Sequence, residues 1–127
     1  MDAPILCVDD DEDILESLIE LLEEAGLPVL LARTGYDALA LAISKKPALI
    51  LLDLALPDLP GEEVCRRLRA HAPTAEIPVI MLTVKGGESD KVLGFETGAD
   101  DYVTKPFSGQ ILMARIRALL RRREMSR

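Results

Sequence analysis

The chain of 127 residues has one histidine, His71, and two cysteines, Cys7 and Cys65. A lone histidine argues against a phosphohistidine relay or a Ser-His triad, and His71 reads as a surface residue near the end of a helix. The two cysteines form neither a metal-ligand spacing nor a disulfide framework, so both read as buried or half-buried free thiols. No apolar run approaches the ~20 residues of a membrane helix, and the N-terminus lacks a basic region followed by an apolar stretch and a cleavage site. A cytoplasmic chain with no membrane contact is expected. A net charge of −7 argues against this chain gripping nucleic acid by itself, because phosphate backbones are held by Lys and Arg.

Hydrophobic residues make up 49% of the chain and charged residues 29%, which suits one packed, ordered domain. That domain is expected to span 1–123, with 124–127 the start of a linker or a C-terminal tail. Charge is uneven: Asp9 to Asp13 is acidic throughout, while the end from Arg121 is basic.

Ile5-Leu6-Cys7-Val8 is a short apolar run, and Ile14, Leu15, Leu18, Ile19, Leu22 and Ala25 then recur at helical spacing until Gly26. Val29 to Ala32 repeats the strand. Ala38, Leu39, Ala42 and Ile43 repeat the helix on one face, with Pro47 as its stop. Ala48 to Leu52 is apolar at every position, which fits a strand covered on both sides, and Asp53 stands at its end. Pro57, Pro60 and Gly61 lead into a helix with Val64, Cys65 and Leu68 inward. Ile77 to Leu82 reads as a fourth strand ended by Thr83. Glu88 to Thr97 reads as a fourth helix, Asp101 to Thr104 as a fifth strand, and Ser108 caps a last helix with Leu112, Ile116 and Leu119 on one side. The (βα)5 order predicts an α/β fold with a mostly parallel sheet and helices on both faces.

Open α/β sheets bind ligands outside the carboxyl ends of their strands. Asp9 and Asp10 end the first strand, Asp53 the third, Thr83 the fourth and Lys105 the fifth. Carboxylates converging there repel one another unless a cation or protons intervene, and a hard divalent ion such as Mg²⁺ takes oxygen ligands of this kind together with phosphate oxygens. A carboxylate can serve as the nucleophile of phosphoryl transfer, with Lys105 and the Thr83 hydroxyl placed to meet phosphoryl oxygens. Asp11, Glu12 and Asp13 read instead as acids favouring the N-terminus of the following helix. The terminal arginines read as complementing the last helix's dipole.

Val8-Asp9-Asp10-Asp11, Leu51-Leu52-Asp53-Leu54 with Pro57 and Gly61, Met81-Leu82-Thr83, and Gly98-Ala99-Asp100-Asp101-Tyr102-Val103-Thr104-Lys105-Pro106-Phe107 together resemble the receiver domains of two-component response regulators. The match spans essentially the whole chain. It implies a flavodoxin-like (βα)5 three-layer sandwich of strand order 2-1-3-4-5. It also implies that Asp53 is phosphorylated by a sensor histidine kinase, with Lys105 and Thr83 assisting. Asp10, Asp53 and the backbone carbonyl of Ala55 would ligate Mg²⁺ or Mn²⁺, with Asp9 acting largely through water. Thr83 and Tyr102 would form a switch pair, and Lys105-Pro106 would be cis. The chain would then be no enzyme beyond catalysing its own phosphorylation and dephosphorylation.

The stretch from Thr83 to Phe107 resembles most the OmpR/PhoB subfamily, whose receivers form homodimers through the fourth helix, fifth strand and fifth helix and drive a winged-helix domain. DNA contact would belong to that output domain, which this chain does not contain. Lys91, Asp100, Asp101, Arg115 and Arg122 sit where the subfamily has its intermolecular ion pairs, with Val92, Phe95 and Met113 as an apolar centre. Two positions depart from the pattern. Ile111 replaces a usual acidic partner of Lys91, and Val84 replaces a smaller residue beside the acceptor, narrowing access to it. Ala55 and Lys85 occupy positions that tune phosphate lifetime in the family. Two other readings compete: a receiver-like interaction module that never carries phosphate, and a haloacid-dehalogenase-type phosphatase faintly echoed by Asp9-x-Asp11.

Overall fold

In the computed structural model, which describes residues 3–84 and 98–125, the apolar runs assemble into one five-stranded parallel sheet of order β2-β1-β3-β4-β5. The strands are β1 (Ile5–Val8), β2 (Val29–Ala32), β3 (Leu49–Asp53), β4 (Val79–Thr83) and β5 (Asp101–Thr104). The helices are α1 (Glu12–Glu24), α2 (Gly35–Lys45), α3 (Gly61–Ala70) and a C-terminal helix, Gly109–Met125, which runs past 123 without a break. The expected helix over 88–97 lies outside the described residues.

β3 is apolar from Leu49 to Leu52 because strand side chains alternate between two faces and both are covered. Leu49 and Leu51 join Ile5, Cys7, Ile80 and Leu82 against Leu15, Leu18 and Leu22 of α1 and Leu112, Ile116 and Leu119 of the C-terminal helix. Ile50 and Leu52 join Leu6, Val8, Val79 and Met81 against α2 and α3, where Ala38, Ala42, Val64, Cys65 and Leu68 face the sheet. Both cysteines are buried, and burial pushes the Cys7 thiol up to about 12. His71 is exposed at the end of α3.

The helix ends follow local chemistry. Asp11 caps α1 by accepting from the Asp13 N–H at 2.9 Å, and Glu12 pairs with Arg33, so these acids serve the helix start as their pattern indicates. Thr34 caps α2 through the Asp37 N–H at 3.1 Å. That helix stops when Lys46 turns left-handed at φ 46°, immediately before Pro47. Ile43 departs from expectation. It is exposed, because α2 lies on the sheet along a narrow stripe of Gly35, Ala38 and Ala42, and residue 43 is turned about 100° from residue 42. A short 3₁₀ turn, Ala72–Thr74, follows α3, with the buried Thr74 hydroxyl donating to the Leu68 carbonyl at 2.7 Å.

Candidate functional site

The carboxyl ends of β1, β3, β4 and β5 meet at one edge, as parallel registers require. Val8 pairs with Leu52, Asp53 with Leu82, and Thr83 with Thr104. The residues just beyond the strands therefore share one basin. Asp9, 1% exposed, and Asp53, 6% exposed, lie within it, with Asp10 at its open side. Carboxylate oxygens of these three residues all lie within 4.8 Å of one another.

Lys105 enters from the opposite wall. Its backbone N–H donates to the Thr83 carbonyl at 2.5 Å, just before a cis bond to Pro106, as the resemblance implies. Its ammonium donates to Asp9 Oδ2 at 2.6 Å and stands 3.3 Å from Asp53 Oδ1. Asp9 Oδ1 accepts from the Asp11 N–H at 3.0 Å, and Asp53 Oδ1 from the Ala55 N–H at 3.3 Å. Burial works against the lysine's charge, yet the two carboxylates outweigh it and hold the ammonium above the usual lysine range. For Asp53, burial and then the Asp9 charge outweigh Lys105 and the Ala55 N–H, and its carboxyl is raised above the usual range.

Among the described residues one ammonium thus faces three acids, two of them buried. The donor set is all oxygen and short of positive charge, which fits a hard divalent cation such as Mg²⁺ or Mn²⁺. Thr83 is buried at the end of β4. Alternation along the strand puts it on the same sheet face as Met81, and Met81 pairs with Tyr102. Tyr102 is buried on that face, so the two expected switch residues share one side of adjacent strands.

A backbone anchor also shapes the basin. Gly61, the first residue of α3, donates to the Leu54 carbonyl at 2.8 Å. A Cβ there would collide with the Asp53 carbonyl oxygen and sit 2.8 Å from Leu54 Cα, so only glycine lets the helix approach the acceptor strand this closely. In sequence Gly61 reads as a loop signal and as part of the motif around Asp53, neither of which shows this close approach.

At the other end of β5, residues expected on a dimer face are engaged within the chain. Asp100 Oδ2 accepts from Arg69 Nη2 at 2.8 Å and from the Val79 N–H at 2.9 Å, and Arg122 stands 3.6 Å from its Oδ1. Arg69 also donates to the carbonyls of Gly98 and Ile77, at 2.9 and 2.7 Å. Arg115 donates to both Asp101 oxygens. Met113, expected at an apolar dimer centre, is instead buried with Leu112 and Ile116 against the sheet, because the helix turns four apolar positions inward rather than three. Val84 and Ile111 are exposed. Arg123 donates to the Pro47 and Ala48 carbonyls, tying the last helix to the base of β3. Lys85, Lys91, Val92 and Phe95 lie outside the described residues.

The sequence matches the family described as response regulator receiver domain over residues 5–117. It is 49% identical over 126 residues to the alkaline phosphatase synthesis transcriptional regulatory protein PhoP of Bacillus subtilis, covering 99% of this chain and 52% of that protein. To the phosphate regulon transcriptional regulatory protein PhoB of Pseudomonas aeruginosa it is 50% identical over 118 residues, covering 93% of this chain and 52% of that protein. The chain therefore spans about half the length of these relatives. Among solved structures, a response regulator from Chloroflexus aurantiacus superposes with a TM-score of 0.91 at 38% identity, covering 94% of this chain and 98% of that one. The BeF₃-activated DrrB receiver domain superposes at 0.85 with 40% identity, covering 95% and 99%.

Proposed function

The chain belongs to the response regulator receiver domain family, and from that premise we propose that it is a phosphorylation-driven switch whose acceptor is Asp53. The observation that carries this reading is the basin itself. A buried strand-end carboxylate lies among two further acids with one ammonium 3.3 Å away, a charge arrangement completed by a phosphoryl group and a divalent ion.

A carboxylate oxygen of Asp53 attacks the phosphorus of a phosphohistidine on a sensor kinase. The new O–P bond forms as the P–N bond breaks, and the imidazole leaves with its electron pair. Asp9, Asp10, Asp53 and the Ala55 carbonyl are the groups that would hold Mg²⁺ or Mn²⁺, which when bound neutralises charge on the transferring oxygens. Lys105 exchanges part of its contact with Asp9 for a phosphoryl oxygen. Thr83 donates its hydroxyl to another, and Tyr102 follows on the same sheet face. The consequence is a change on the surface formed by β5 and the C-terminal helix.

On this reading the chain turns over no separate substrate. It acts in the cytoplasm and, when phosphorylated, pairs with a second copy through that surface. In a longer regulator it would control transcription through an attached DNA-binding domain, in keeping with the regulatory names of its relatives. Among the described residues no helix is long and apolar enough to cross a membrane.

The test is incubation with acetyl phosphate and Mg²⁺, read by intact mass, against Asp53→Ala. Labelling of the native chain alone is expected, and equal labelling of both proteins overturns the assignment. Light scattering after BeF₃⁻ treatment then reads the mass, and an unchanged monomer overturns the pairing.

A further inference from the structure

Residues 54–60, between β3 and α3, carry the Ala55 carbonyl that the proposed ion site uses. At its start this loop is held through both backbone groups of Leu54: the N–H donates to the Leu82 carbonyl at 3.2 Å, and the carbonyl accepts from Gly61 at 2.8 Å. Its far end is held by Asp58. Oδ1 of Asp58 accepts from the Gly35 N–H at 2.7 Å and from the Leu59 N–H at 2.9 Å, while Oδ2 accepts from the Tyr36 N–H at 2.9 Å.

These contacts cross from one loop to the start of another helix. The first N–H groups of a helix have no partner inside it. In α2, Thr34 serves Asp37, and Asp58 serves Gly35 and Tyr36 from 22 or more residues away. Desolvation works against the Asp58 charge, yet the N–H groups of Tyr36, Gly35 and Leu59 outweigh it and hold the carboxyl below its usual range. The loop is also pressed against the helix: a Cβ on Gly35 would lie 2.9 Å from both Leu59 Cβ and Val64 Cγ2. By contrast α3, which starts at the end of the same loop, has Pro60 at its cap position and no side-chain cap. The loop's one acid is thus spent on α2.

We propose that Asp58 is a positioning residue for the ion site: clamped to the first turn of α2, it fixes the far end of the Ala55-Leu56-Pro57 span and thereby the place of the Ala55 carbonyl. Three residues held at both ends have little freedom. With one end released, the carbonyl moves, and so does the Ala55 N–H that reaches Asp53 Oδ1 at 3.3 Å. The inference rests on the ion-binding reading given above.

Mn²⁺ binding to the intact chain, read by electron paramagnetic resonance without any phosphodonor, tests it together with thermal denaturation. Asp58→Ala and Asp58→Asn remove the same negative charge, but only Asn keeps an acceptor oxygen for Gly35 and Leu59. Thr34→Ala weakens the same helix start without touching the loop. Asp58→Ala is expected to weaken Mn²⁺ about tenfold, the low end for groups that orient metal ligands, while Asp58→Asn retains most of the affinity. Thr34→Ala should lower the melting temperature yet bind Mn²⁺ as the native chain does. Native-like affinity of Asp58→Ala, equal losses in the Ala and Asn variants, or an equal loss in Thr34→Ala each overturns the proposal. A native chain that binds Mn²⁺ no better than Asp53→Asn overturns the ion site itself, and the inference with it.

Discussion

Replacing Asp53 by Asn should raise stability without a divalent ion and lower it, relative to the native chain, with one. At an effective dielectric of about 20, the Lys105 ammonium 3.3 Å away attracts the Asp53 charge by about 5 kcal/mol. Asp9, with an oxygen within 4.8 Å, repels it by at least about 3.5 kcal/mol on the same scale. Asp10 adds a weaker, solvent-screened repulsion, and burial of Asp53 adds the cost of lost hydration. The sum is unfavourable, in line with the raised Asp53 carboxyl.

Removing this charge should therefore raise the melting temperature of the ion-free chain. The pH dependence has a definite sign. Below the ordinary carboxylate range Asp53 is protonated in the folded and the unfolded chain alike, and the charge contributes no difference. As pH rises from that range through the raised native value, the native protein loses stability that Asp53→Asn keeps, and the gap is full above it. Mg²⁺ reverses the order. At 100 times its dissociation constant it stabilises the native chain by about 2.7 kcal/mol, and the variant, one carboxylate short, gains far less. Calorimetric scans at neutral pH, in EDTA and in saturating Mg²⁺, should show the two melting temperatures cross. An Asn variant less stable in EDTA, or a native chain unmoved by Mg²⁺, refutes the reasoning.

Gly61→Ala drives a methyl group into the Asp53 carbonyl and should destabilise by about 1–3 kcal/mol while slowing acetyl phosphate labelling; a native melting curve would contradict the close approach. Arg69→Ala removes three hydrogen bonds at the start of β5 and should cost about 2–3 kcal/mol in chemical denaturation, with Arg69→Lys recovering only part because an ammonium cannot span three acceptors in the arginine's fork. Val84→Ala trims an exposed side chain next to Thr83 and should speed labelling by acetyl phosphate; equal rates in a time course reject that.

The sheet was legible because four of its five strands are short apolar runs closed by a polar residue, and the chemistry sits where those runs end. Asp9, Asp53, Thr83 and Lys105 could be assigned to one edge from order alone, since parallel strands put their carboxyl ends on the same side. Side-chain partners were harder to read. Lys105 suggests a phosphate ligand in sequence, whereas in the fold its nearer partner is Asp9, 96 residues away. Met113 and Ile43 show the limit of helical spacing. Either residue could lie on an apolar stripe, and which one is buried depends on how wide a stripe the sheet accepts. Beneath the C-terminal helix that stripe takes in Met113 beside Leu112 and Ile116, while beneath α2 small residues make it too narrow to reach Ile43.

The contacts made by the anchors around the acceptor were not legible, for a stronger reason. Asp58 reaches the start of α2, Gly61 packs on the Asp53 carbonyl, and Arg69 joins the carbonyls of Ile77 and Gly98 to Asp100. All of these contacts but the Arg69–Asp100 ion pair involve a backbone group, and so they depend on where crossovers bring two loops together. Their locations are nonetheless ordered. α3 begins against the strand that carries Asp53 and ends, through Arg69, at the residues leading into the strand that carries Tyr102. The acceptor edge and the far end of β5 are thus joined by one helix of ten residues as well as by the sheet. Substitutions at either end of α3 should disturb both regions, whereas an exposed residue in its middle such as Arg66 should disturb neither.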